Sequence, residues 1–134
     1  MNKEFIPYEQ SLALKELGFD EPCFGRYYYK ESYPMLNPQS EETELVFEFS
    51  QYIKQTEATI LSPLYQQAFR WFREKGLNYT INPYYSNTTD IVKYELMVYH
   101  IGGSSPMSKP IIFKTYEEAE LECLNTLIQI VKNK

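Results

Sequence analysis

Histidine is all but missing from this sequence: His100 is the only one, and cysteine occurs twice, at Cys23 and Cys123. Catalytic bases work with partners, so a lone histidine near the end of a strand reads as a polar edge residue rather than as a base. One histidine and two isolated cysteines give no C-x-x-C or H-x-x-x-H spacing, and no metal is expected. No serine or cysteine lies in a nucleophile-elbow context, and nothing resembles a glycine-rich phosphate cradle. No cofactor and no enzymatic activity are expected. The two thiols stand far apart, each in an apolar segment, and read as small core residues of a reducing compartment rather than as a disulfide.

Long apolar runs are missing too. Nothing approaches the ~18 residues that a membrane helix needs, and Met1–Pro7 holds no stretch apolar enough for a secretory signal. The expected location is the cytoplasm. Nor is there a broad basic patch. Residues 1–62 carry 5 Lys/Arg against 11 Asp/Glu, net −6, and residues 63–134 carry 8 against 7, net +1. The first half would repel nucleic acid and anionic membranes.

What remains is enough for one core. The 134 residues are 43% hydrophobic, which excludes disorder as the main state and fits a single soluble domain spanning 1–134. A first helix is predicted from Pro7 at its first position to a left-handed Gly18, with Phe19 folding back toward Leu14. Its apolar stripe is poor, so it should pack on one edge. Cys23–Tyr29 and Glu44–Phe49 read as strands of a hairpin whose long tip spans residues 30–43.

The second helix has Ser62 as N-cap, Pro63 at its first position and Gly76 beyond its end. Leu64, Tyr65, Ala68, Phe69 and Phe72 share one face, Gln66, Arg70, Arg73 and Glu74 the other, and Trp71 falls on the boundary. Strands are predicted over 78–84, 91–101 and 110–114, with turns at Ser86–Asp90 and Gly102–Pro106. The last helix opens on a capping box, Thr115-x-x-Glu118. Its apolar face holds Ala119, Cys123, Leu124, Leu127, Ile128 and Val131, widened by Ile130. The order α-β-β-α-β-β-β-α describes an α+β fold with a mostly antiparallel sheet of about five strands and three helices.

Tyrosine is the compositional oddity, at 13 residues. Alternate tyrosines on a strand face opposite sides, so some of Tyr27-Tyr28-Tyr29 lie outside the core. Exposed tyrosine suits binding surfaces, because it offers area at little entropic cost; it also suits half-exposed strand positions without any ligand. Two candidate interaction surfaces follow. One comprises Tyr27, Tyr29, Tyr84 and Tyr85. The other is the helix face of Gln67, Arg70, Trp71 and Glu74, where Trp71 has two readings: a seal of the core edge against the hairpin 23–49, preferred because a helix lying on a sheet covers its flanks, or a hot spot for a partner.

Residues 63–132 read α-β-β-β-α, the element order of a double-stranded-RNA-binding domain. Such domains grip phosphates with basic residues at the start of the last helix. Here that position reads Glu117-Glu118-Ala119-Glu120, so the shape analogy stands and the ligand does not follow. A nucleic-acid reading would use Arg70, Arg73, Lys93 and Lys114 instead.

Three phrases carry a resemblance: Pro7-Tyr8-Glu9 with Leu14–Cys23, the run Ser62–Lys75, and Tyr116–Leu121. They resemble a family of small proteins, without an assigned activity, encoded by Bacteroides-type gut bacteria and their phages or prophages. The resemblance spans all three helices, while the loop between the first two strands is longer here. It implies the product of a phage or mobile-element accessory gene, and it carries over no site residue. The expected function is non-enzymatic binding of a host or phage protein in the cytoplasm, as a monomer or a homodimer, without nucleic acid or membrane.

Overall fold

The computed structural model describes residues 2–29, 43–47, 60–86, 89–102 and 110–133. Among these residues, three α-helices and six strands make an α+β fold: α1 (Tyr8–Glu16), β1 (Gly25–Tyr29), β2 (Thr43–Phe47), β3 (Ile60–Ser62), α2 (Tyr65–Glu74), β4 (Leu77–Ser86), β5 (Thr89–His100), β6 (Ile111–Phe113) and α3 (Tyr116–Lys132). The order is the expected one with β3 added. None of the described helices is long and apolar enough to cross a membrane. The chain divides into two compact units, Met1–Ala68 and Phe69–Lys134. The strands form two antiparallel sheets of three, in the orders β2-β1-β3 and β4-β5-β6, where one sheet was expected. Each central strand, β1 or β5, is already paired on both sides.

In the first unit α1 ends as its glycine dictates. Gly18 takes φ +95°, its N–H reaches the Lys15 carbonyl at 3.1 Å, and the Phe19 N–H reaches the Leu14 carbonyl at 3.0 Å. These are the two bonds of a left-handed helix closure. Pro7 sits one place earlier than predicted, as the extended N-cap. The expected hairpin is present, with Gly25 opposite Phe47 and Tyr29 opposite Thr43; its tip at 30–42 lies outside the described residues.

Ser62 departs from its expected role. It does not cap α2 but ends β3, opposite Gly25. Three hydroxyls converge on one buried acceptor, the Ile6 carbonyl: Ser11 Oγ donates at 3.2 Å, Tyr27 Oη at 2.8 Å and Ser62 Oγ at 2.9 Å. The Ile6 N–H in turn reaches the Pro63 carbonyl at 3.0 Å, and Phe5 bridges Leu64. A buried carbonyl costs free energy unless it is hydrogen-bonded. Strand pairing and this acceptor together hold Ser62 and Pro63 out of the helix, which therefore begins at Tyr65.

In the second unit β4, β5 and β6 form an antiparallel meander, with Leu77 opposite His100 and Tyr94 between Pro83 and Phe113. One face of this sheet buries Leu77, Leu96 and Val98 with Ala119, Cys123, Leu124, Leu127 and Ile128 of α3. Phe69 of α2 joins the same side, its ring 4.4 Å from that of Tyr79. The capping box forms as read, with Thr115 Oγ1 accepting from the Glu118 N–H at 3.1 Å. Gly76, at φ +87°, ends α2.

Candidate functional site

Strand β4 carries the most exposed aromatic rings of the described residues. Successive side chains of a strand alternate in direction, so Tyr84 and Tyr85, opposite Lys93 and Val92, point to opposite faces. Tyr84 is 44% exposed and Tyr85 71%. Strand β6 pairs only with Tyr94, Glu95 and Leu96 of β5, so among the described residues the β4–β5 hairpin runs on past it as two strands. The result is a projecting tip with a tyrosine on each side.

The Tyr85 side continues toward the helix. Pro83 and Tyr94 face each other across the two strands on this side. The Tyr94 ring meets the Tyr116 ring edge-on at 5.7 Å, and Tyr116, the first residue of α3, is 40% exposed. Burial raises the pKa of the Tyr116 phenol, and the Glu120 carboxylate one turn along adds to the effect. Tyr79, further in, is pushed up to about 12 by burial first, then by Tyr116, Cys123 and Glu120, against the opposing pull of Arg73. Glu120, whose helical angle aims it at the apolar face, is thus half-buried beside three groups that it helps to keep protonated.

The other candidate residues are dispersed. Tyr27 is half-buried, tied to the Ile6 carbonyl and edge-on to Tyr8 at 5.5 Å; burial raises its pKa. It serves the packing of the first unit. The backbone of Tyr29 pairs with Thr43, while its side chain lies outside the described residues. Gln67 is half-buried and its Nε2 donates to the Pro22 carbonyl at 3.0 Å. Arg70 and Glu74 are exposed on α2.

Trp71 is not at a solvent boundary. It is only 8% exposed, edge-on to Phe72 at 5.1 Å and covered by the Lys75 ammonium, 4.3 Å from the ring centroid. The stem and charge of that lysine take the place the sequence pattern left to water. The helix-face candidate therefore loses its aromatic anchor. The basic residues of the nucleic-acid reading do not form one track either. Lys93 shares a sheet face with Tyr84, the side opposite that of Phe69 and α3, whereas Arg70 and Arg73 belong to α2.

The chemistry-bearing groups stay apart. His100 is exposed at the end of β5, and among the described residues no three of His, Cys, Asp and Glu converge as metal ligands. Both thiols are buried and free. Burial and Glu21 push Cys23 up to about 12 against a hydrogen bond from Gln67, and burial and Glu120 raise Cys123 as well. A thiol held protonated is a poor nucleophile. The tyrosines missed as a set were Tyr94 and Tyr116, which only the hairpin register and the start of α3 bring beside Tyr85. No family model, curated protein or solved structure matches the chain.

Proposed function

We propose that this chain is a non-enzymatic protein-binding domain whose contact surface is the Tyr85 side of the β4–β5 hairpin. One observation carries the reading: Tyr85 stands 71% exposed on a projecting hairpin, next to the half-exposed Tyr94–Tyr116 pair. Aromatic rings gathered from β4, β5 and the start of α3 offer contact area with little entropy left to lose. The buried, protonated thiols and the solitary exposed histidine favour binding over catalysis. The family resemblance of the sequence supplies the setting, an accessory factor of phage or mobile-element origin acting on a host or phage protein in the cytoplasm.

The test is affinity capture from bacterial lysate with the full chain, beside Tyr85→Ala and Tyr116→Ala. Tyr85 is 71% exposed, so Tyr85→Ala should keep the parent melting point; Tyr116→Ala also loses the edge contact with Tyr94, so its capture is compared at a temperature well below its own melting point. Loss of a captured protein in both supports the surface, and retention in both refutes it. A mobility shift with RNA that weakens steeply with salt would instead establish the nucleic-acid alternative.

A further inference from the structure

Among the described residues, α3 packs on the Leu96 and Val98 face of the second sheet, and the opposite face, the Tyr84 side, carries no helix of its unit but two charges in an unusual setting. Lys93 and Glu95 lie on this face of β5, two residues apart and on either side of Tyr94, both half-buried. The cross-strand neighbour of Lys93 is Tyr84, and those of Glu95 are Asn82 and Ile112. Neither charge meets an opposite one across the sheet. Exposed apolar surface flanks them, with Ile112 at 47% and Met97 half-buried.

The edges of the sheet are poor docking sites. Proline is tolerated in a sheet where its missing N–H points off the edge, so Pro83 interrupts the outer hydrogen-bonding row of β4. β6 has only three residues and follows Pro110. Short strands and edge prolines are the usual protection against edge pairing. Association through this sheet must then use the face.

We propose that the occupant of this face is a second copy of the chain. Place a two-fold axis between two such faces, crossing the strands at Tyr94. β5 then lies antiparallel over its counterpart, Lys93 of each copy stands opposite Glu95 of the other, and both charges are answered at once. Facing sheets pack about 10 Å apart, a gap that two opposed side chains fill. The pattern is complementary to itself, as an isologous interface requires. Tyr85 points away from this contact and stays available to a different partner.

Sedimentation equilibrium of the full chain, diluted from millimolar to micromolar, tests the proposal. The parent should associate to a dimer. Lys93→Glu and Glu95→Lys each oppose like charges twice in the symmetric pair, and should each weaken the dimer at least about tenfold. Mixed together, the two variants should recover it, because position 93 of either copy then again faces an opposite charge at position 95 of the other. The double exchange K93E/E95K should also dimerise, and Tyr85→Ala should leave the dimer intact. A parent that stays monomeric throughout, or a dimer that neither single reversal weakens, overturns it. Failure of the mixture to associate does the same, provided that each variant keeps the parent melting point.

Discussion

Gly25 stands where β1 runs beneath the Phe5 ring. A Cβ at this position would lie 2.8 Å from two carbons of that ring and 2.9 Å from the Ser62 carbonyl oxygen. The ring could turn, but the carbonyl belongs to the backbone of β3 and cannot yield without loosening the pairing. Gly25→Ala should therefore destabilise by about 1–3 kcal/mol, the range for overpacking, read as an earlier midpoint in urea with an unchanged slope. Gly18 and Gly76 were legible in the sequence because a helix closure involves only neighbours. Gly25 was not, since its constraint comes from residues far along the chain. The same distance concealed Ser62, which donates to a carbonyl 56 positions away, while the sequence showed only a good cap beside a proline.

At the scale of elements, hydrophobic periodicity located α2 and α3 well, and alternation located the β4–β5 hairpin. It failed at β3, where Ile60, Leu61 and Ser62 are all buried and three residues give no alternation to read. At Trp71, on the boundary of the α2 stripe, it left two readings, a seal on the core edge or an exposed anchor, and burial bears out the first, the preferred one. Trp71 lies beyond the stripe of Tyr65, Ala68, Phe69 and Phe72, yet packs against Phe72 under Lys75. Trp71→Ala should lower stability by about 3–5 kcal/mol, the cost of truncating a buried aromatic, and the melting point should fall accordingly. An unchanged melting point would return Trp71 to the surface. Thr80 on β4 offers a change of opposite sign. Its Oγ1 is buried without a hydrogen-bond partner among the described residues, and a valine matches its shape and suits a strand. Thr80→Val should leave stability unchanged or raise it by up to about 1 kcal/mol, measured in the same urea series.

Among the described residues, two buried thiols and a half-buried phenol are kept in neutral form, and they set a response to alkali. Each unit contains a buried thiol with a raised pKa, Cys23 in the first at about 12 and Cys123 in the second, against an ordinary 9.0. The second adds Tyr79, raised from 10.0 to about 12. For all three the folded state keeps its proton at a pH where the unfolded chain has lost it. Their contribution is then complete below pH 9 and is lost as pH rises toward the folded values. Once the unfolded thiol has ionised, each such group steepens the fall by up to about 1.4 kcal/mol per pH unit. Melting points taken from about pH 7 to about pH 11 should stay level and then drop once the ordinary thiol value is passed. Cys123→Ala removes one of the titrating groups, so its curve should start lower, because a packed side chain is truncated, and then fall less steeply. Alkylation supplies the independent check. At neutral pH both thiols should react with iodoacetamide far more slowly than in denaturant, since attack requires a thiolate that burial suppresses. Rapid labelling of native protein at either cysteine would show that thiol to be open to solvent and would remove its share of the alkaline drop.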